Sequence, residues 1–582
     1  MPFIRVGLVE FPPESLDARL HALGVRSLLE QEGIAYTVLD SARPAEALGA
    51  VDVLVLVDYM QMGPRETAQW LPVLERLPAL WTGLLHPQAP DELLQALGLS
   101  AGADRPQNDM AGMLRVFYAR YHKVTERLSD SAERSVRLKR IPTLLVTASL
   151  PEGTEEAVTI ELADGTRLGS GVVVREQPQR RVTLCFPAGL VFTTRTGRHL
   201  DLRGDLDEFD YPSSTAVDTV RVLLREGVRW LAPQDALPRV YYWPLWGADG
   251  ALGNAEAIPR GAYMLSHNLC AEAGAGIEFI LDTCRTHGLR TTFFLPSPDL
   301  LTPEQAGEHV VALQSSDTAS PEELVWQKRA LEERQGRPIS GWRRMGPSQP
   351  TSYPDIWRRL VRAGFAWCSS FPVQSQCGLA PSEGTATGCR LPYWVVDVET
   401  AERLPLVELP SLDTQDIERL TNIRYGARLS QWQFEAHARS RLDLVQKNNV
   451  AGGYHLHGWT AGGATEEGRF YGAPGCRELL RRVIDWAKER EVAIVTHQQV
   501  YDWWVCRARC RLNVQRHLVE FAAPESEYRA VLEVMQPAAQ EEALALEIEG
   551  AAGEPMVWGT RTERRYLIPA APGEEPLLVR LV

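Results

Sequence analysis

No window of this 582-residue sequence approaches the roughly 18 consecutive apolar residues that a membrane-crossing helix needs. Lys and Arg are nowhere bunched, and the formal charge is −14, so the electrostatic footprint of a nucleic-acid or anionic-membrane partner is missing. Both partner classes are set aside. The opening MPFIRVGLVEF lacks the basic start, long apolar stretch and small-residue cleavage site of a secretory leader, and the expected address is the cytoplasm. Cysteine is sparse: nine are scattered through a chain large enough not to need staples, which reads as free thiols. Cys506 and Cys510, in CRARC, have no second Cys or His pair at finger-like spacing, and read as two thiols near a domain junction.

What is present is the composition of a soluble globular protein, 45% hydrophobic and 23% charged, long enough for three or four compact units. Over the first 100 residues strand patterns (IRVGLVEF, AYTVLD, VDVLVLVD) alternate with helix patterns such as PRETAQWLPVLERL, which opens on Pro64. Such alternation predicts a parallel sheet with helices on its faces. From about 137 to 205 short alternating strands take over, with a hairpin signal at ADG, and a helix near 213–230 follows. Alternation returns between 239 and 505, where Ile277, Ile280, Leu281 and Cys284 mark one helix face, Gly288 ends that helix and LRTTFFL follows as a strand. The last 75 residues or so read as an all-β module.

The central unit resembles the polysaccharide deacetylase family, the NodB-homology domain of carbohydrate esterase family 4. YMLSHN stands where that family has a T-F-D-D or T-H-D motif. HGLRTTFFL, the run from HVVALQSSDTAS to GWR, GFAWCSSF and GGYHLHGWT then follow in the family's order. Together with the strand and helix pattern of the flanking segments, the resemblance implies a multidomain α/β chain. An amidotransferase-like or flavodoxin-like parallel sheet would occupy 1–136, with a β-rich insertion and linking helix at 137–238. A distorted (β/α) barrel would cover 239–505 and a β-sandwich-like module 506–582. It also implies metal-assisted hydrolysis of an acetyl group, in which an Asp is the base, a second Asp and two His hold the metal, and a His is the acid.

At those positions this chain departs from the family. Asn268 stands at the base position, and an uncharged amide cannot take the proton. Leu269 or Cys270 replaces the second acid, and Gln314 and Thr318 replace the two metal-binding imidazoles. Amide and hydroxyl oxygens without a fixed charge hold zinc poorly, so no metal or other cofactor is expected. His457 matches the family's acid and Arg343 the arginine that pairs with the Asp base; the plain alternative for Arg343 is a salt bridge to a neighbour such as Asp317. Residues 453, 455, 457 and 459 share one face at strand period, bringing His455, His457 and Trp459 together. A relocated zinc site built from His455, His457 and His267 or Cys270 is the minor alternative.

Thirteen of the sixteen tryptophans lie between 230 and 504, and flat rings suit sugar faces, although most fill a core. Trp342, Trp459, His455, Gln314 and Thr318 are therefore the expected ligand-binding side chains, with a carbohydrate or small glycan as partner. The first unit is similar to class I glutamine amidotransferases, yet its elbow region LWTGLLHP has no cysteine, so it is expected to be catalytically silent. Three functional expectations result: a carbohydrate-binding or scaffold pseudoenzyme, a hydrolase with a rearranged site, and an assembly component that forms homo-oligomers.

Overall fold

The computed structural model describes residues 2–100, 115–129, 135–138, 141–144, 150–162, 164–197, 216–246, 257–269, 274–345, 355–370, 389–411, 414–416, 429–462, 473–537, 544–559, 563–573 and 575–582. They form a mixed α/β protein with several sheets.

The first sheet has nine strands, in the order Tyr36–Leu39, Val6–Glu10, Val53–Tyr59, Ala79–Leu84, Arg181–Leu184, Arg167–Arg175, Thr154–Leu162, Arg115–Ala119 and Ser135–Leu138. The first five run parallel. Their neighbours beyond Arg181–Leu184 run antiparallel. Largely apolar strands such as Val53–Tyr59 and Ala79–Leu84 are buried almost throughout, as strands inside a parallel sheet are. The β-rich segment set apart at 137–238 thus supplies strands to the same sheet as the residues before it. The sheet is mixed rather than parallel, because hairpins extend its far edge.

The central sheet is built on Ala262–Asn268. One side of that strand takes Ala451–His455 and then Thr414–Gln415. The other side takes Thr292–Leu295 beside its C-terminal half and Ala493–Val495 beside its N-terminal half. Beyond Thr292–Leu295 come Val310–Ser315, Gly341–Arg344, Trp367–Cys368 and Glu402–Glu408, all parallel. Tyr393–Asp397 closes this edge as an antiparallel strand. Among the described residues Tyr393–Asp397 and Thr414–Gln415 remain edges, so the barrel expected from the resemblance does not close into a continuous ladder. Near these edges Leu409 donates its N–H to Cys368 O at 2.8 Å, and Thr414 is paired with Tyr454.

Helices that join parallel strands return antiparallel to them, so the strand ends at Asn268, Ser315, Arg344 and His455 all open on one face of the unit. The helix Gly458–Gly462 sits at this face, packed on the helix Gly274–His287. The approach depends on Gly276, where an added Cβ would lie 1.8 Å from Gly458 O.

The C-terminal part contains two four-stranded antiparallel sheets that share one apolar cluster, including Phe521, Val579, Leu532 and Leu567. The strand Leu237–Val240 belongs to one of them, paired with Val531–Pro537. A buried charge cluster ties the first part to the C-terminal sheets. Glu32 bonds Arg239 and the Tyr242 hydroxyl, each at 2.7 Å, and also meets Arg221 and Arg225. Arg239 in turn bonds Glu533. Burial alone would raise the Glu32 carboxyl, but Arg225, Arg221 and Arg239 overcome it and bring the group down to about 2.

Candidate functional site

Arg343 lies at the centre of the central sheet with 2% of its surface exposed. Its strand is in register with Val310–Ser315, opposing Gln314 to Arg343. Every nitrogen of the guanidinium is engaged. Nε donates to Ser369 O at 2.8 Å. Nη1 reaches His455 Nδ1 at 2.9 Å, Ser266 Oγ at 3.1 Å and Asn268 Oδ1 at 3.4 Å. Nη2 reaches Ser411 Oγ at 2.9 Å, Ser369 Oγ at 3.2 Å and His497 Nε2 at 3.4 Å. The charge also sits 3.7 Å above the ring of Phe294.

All of these partners are uncharged. Burial pushes the guanidinium down to about 9, and Glu408, nearby but not bonded to it, acts the other way. His455 is held well below its usual value by burial, helped by the charge of Arg343, and His497 likewise. His497 is fixed by two bonds to Thr292 Oγ1, from its backbone N–H at 3.1 Å and through Nδ1 at 3.0 Å, and its Nε2 lies 2.7 Å from Ser411 Oγ. The expected alternative partner of Arg343 does not serve it: Asp317 pairs instead with the next residue, Arg344, at 3.7 Å.

His457 follows the strand Ala451–His455 and is partly exposed. Its backbone N–H donates to Asp416 Oδ2 at 2.8 Å, and its Nδ1 donates to Asp416 Oδ1 at 2.7 Å. Asp416 is fully buried. Both carboxylate oxygens thereby hold one residue, fixing the ring and leaving Nε2 for a ligand. The His457 ring packs at 4.6 Å on His455 and at 5.0 Å on Trp459. Asn268, Arg343, His455, His457 and Trp459 are thus brought together, and Gln314 shares the face of Arg343.

Other expected site residues are placed elsewhere. Trp342 precedes Arg343 and so faces the opposite side of the sheet, 1% exposed in the apolar core with its Nε1 donating to Ser315 Oγ at 2.8 Å. The alternation that sends Ser266 and Asn268 to Arg343 sends His267 to the helical side. There it donates from Nδ1 to Leu456 O at 3.0 Å, and its ring lies 5.4 Å from that of Phe293. Burial lowers His267 to about 3. Thr318 is exposed in a loop, with its Oγ1 2.7 Å from Ser316 Oγ. Cys270 lies outside the described residues.

The family's metal therefore does not fit these residues. Leu269 is in the core, Thr318 spends its hydroxyl locally, and Asn268 turns its oxygen toward Arg343. In the alternative set His267 and His455 lie on opposite faces of the sheet, while the version that uses Cys270 falls outside the described residues. Among the described residues no three His, Cys, Asp or Glu side chains cluster as metal ligands.

Sequence reasoning missed Asp416, Ser266, Ser369, Ser411 and His497. Asp416 is 41 residues from His457, and no local spacing connects them. Ser266 was legible in principle, two residues before Asn268 on the same strand face.

No family model matches the chain, and no curated protein matches its sequence. Among solved structures it is similar to Agd3, described as a novel carbohydrate deacetylase, with a TM-score of 0.43 and 12% identity over 100% of this chain and 99% of that one. It is also similar to the Bc1960 peptidoglycan N-acetylglucosamine deacetylase, with a TM-score of 0.26 and 12% identity over 41% of this chain and 88% of that one. A third is BA3943, a carbohydrate esterase family 4 pseudoenzyme from Bacillus anthracis, with a TM-score of 0.24 and 11% identity over 42% and 66%. At such scores the likenesses carry no functional argument, which rests on the site itself. No helix of the described residues is long and apolar enough to cross a membrane.

Proposed function

We propose that this protein is a divergent, polysaccharide-deacetylase-like chain that binds a carbohydrate at the strand-end face and has lost zinc-dependent deacetylation, acting as a binding or scaffold pseudoenzyme. One observation supports this above the others. The arginine that would hold an Asp base is bonded only to neutral groups, Asn268 among them, and the metal positions carry Leu269 or Cys270, Gln314 and Thr318. Without a base or a metal, the family's water activation has no means. Trp459 beside His457 supplies a flat apolar face with polar neighbours, the combination a sugar ring needs. Metal analysis of the purified chain, with acetate release measured on acetylated oligosaccharides, tests the reading. Stoichiometric zinc together with acetate release would overturn it.

The Asp416–His457 pair favours a second reading, a hydrolase acting on an acylated sugar with His457 as its acid. A buried carboxylate that orients an imidazole is what proton delivery to a leaving group requires. Equal turnover by wild type and His457→Ala on a substrate the protein cleaves would remove this mechanism.

A further inference from the structure

A cavity of about 320 Å³ lies where the helices Leu16–Glu32 and His497–Arg507 meet the strands Tyr393–Asp397 and Glu402–Glu408. None of the side chains around Arg343 or His457 lines it. Its volume falls in the range of small-molecule sites, roughly 300–1,000 Å³. Tyr36, Phe192, Trp394 and Trp504 give it flat apolar walls. Gln31, 3% exposed, is one polar group in the wall. Its Nε2 donates to Pro392 O at 3.1 Å and to Cys389 Sγ at 3.2 Å, and a carbonyl could not accept from an oxygen, so the amide orientation is settled. Neither Pro392 nor Cys389 lines the cavity. The end left to the cavity is therefore Oε1, which has no hydrogen-bond partner among the described residues.

Arg507 is the second polar group, and it caps the last turn of Leu16–Glu32. Nη1 donates to Glu30 O at 2.9 Å, Nη2 to Gln31 O and Val240 O and Nε to Tyr241 O, the last three at 3.0 Å. Gly33, at φ 70°, makes this approach possible, since an added Cβ would lie 2.6 Å from Nη2. All four acceptors are main-chain carbonyls, so no carboxylate balances the charge through a hydrogen bond. Burial pushes the guanidinium down to about 10. The carboxylate of Glu30, which also lines the cavity, is taken by Arg403.

The cavity thus offers a buried acceptor that needs a donor, beside a buried cation that lacks an anion, with aromatic walls around both. The two polar groups are neighbours, because Arg507 bonds the main chain of Gln31 itself. We infer that this cavity binds a free aromatic α-amino acid, its ammonium donating to Gln31 Oε1, its carboxylate facing Arg507 and its ring lying among Trp504, Trp394 and Phe192. An α-amino acid carries a donor cation and an anion on one carbon, which suits an acceptor and a cation set side by side. A guanidinium has five N–H donors, and the four bonds to carbonyls leave one, enough for a carboxylate oxygen and too few for the fork that grips a phosphate. Discrimination comes from Gln31: a ligand without a donor there leaves a desolvated oxygen unsatisfied, which is how a polar site rejects an analogue that lacks one group.

The test is calorimetric titration of the full chain at neutral pH with L-phenylalanine, 3-phenylpropionate, which lacks the amine, phenethylamine, which lacks the carboxylate, and L-alanine, which lacks the ring. L-Phenylalanine is expected to bind about tenfold or more tightly than each of the others. Gln31→Leu is expected to bring L-phenylalanine down to the affinity of 3-phenylpropionate and to leave that compound unchanged, a split that general damage to the fold would not produce. Ala35→Trp, which adds a ring on a half-buried part of the wall and removes no contact of Gln31, is expected to abolish binding of L-phenylalanine and serves if Gln31→Leu does not fold. No binding of L-phenylalanine to the wild type, equal affinity for the four compounds, or a preference that survives these substitutions would overturn the inference.

Discussion

Arg343 and Asn268 face each other over 3.4 Å, a buried cation against the oxygen of an amide. Asn268→Asp would set a carboxylate against that cation. The buried guanidinium, at about 9 instead of 12.5, costs stability in full below pH 9, and the cost is relieved as pH rises from 9 toward 12.5. Asn268→Asp is expected to stabilise the protein by about 1–2 kcal/mol at pH 7.5 and to flatten the rise in stability between pH 9 and 10. Urea unfolding at both values checks this, and a loss of stability at pH 7.5 would contradict it.

Gly276→Ala is expected to damage the site from a distance. An added methyl would meet the backbone oxygen of Gly458 at 1.8 Å, and that helix begins beside His457 and carries Trp459. Overpacking of this kind costs about 1–3 kcal/mol. Saccharide affinity should fall along with the melting temperature, whereas Gly288→Ala, with nothing within 4 Å of its Cβ but a left-handed backbone, should lower stability alone. Unchanged affinity in Gly276→Ala would separate the helix from the site.

Acid should destabilise the chain beginning near neutrality. Burial lowers His21 to about 4 and His267 to about 3, and holds His455 and His497 well below 6.5. Between those values and 6.5 the unfolded chain binds protons that the native one refuses, so stability falls as pH drops below 6.5, by about 1.4 kcal/mol per pH unit for each histidine. Asp58, raised to about 7 by burial, works the other way between 3.8 and 7, as do Asp218, Asp235 and Asp502, which burial also raises, but His122, His287 and His309 are lowered by burial as well, so the histidines outnumber the carboxyls. Denaturation midpoints measured at pH 7 and pH 5 should show a net loss at pH 5.

Glu32→Gln should loosen the junction between the first part and the C-terminal sheets. Three guanidiniums would lose their shared carboxylate in a buried setting, a change that costs about 3–5 kcal/mol. The wild-type carboxyl is depressed to about 2, so its contribution is present above pH 4.5 and is lost only as pH falls through 2. Calorimetry should show Glu32→Gln melting earlier at neutral pH; an unchanged transition would mean the cluster carries no stability.

Much of the central unit was legible from local pattern. TTFFL gave a buried strand, Gly288 a helix end, and the strand period placed His455 and His457 together, as the 4.6 Å ring contact bears out. Trp342 shows the limit: adjacency to Arg343 in sequence meant opposition across the sheet, since neighbours on a strand face opposite ways. His267 was misjudged for the same reason. The mixed nine-stranded sheet was not legible, because hairpin strands and parallel strands carry no mark of which edge they join.

The sequence by itself determined what the site lacks: Asn268, Gln314 and Thr318 cannot supply a base or a pair of imidazoles wherever the chain carries them. Only the tertiary structure decided what the remaining groups do. Asp416 meets His457 across 41 residues, and Ser266, Ser369, Ser411, His455 and His497 converge on Arg343 from separate elements. Donor and acceptor roles follow from those contacts, because an imidazole or an amide takes its polarity from its partner, and the partner is chosen by the fold.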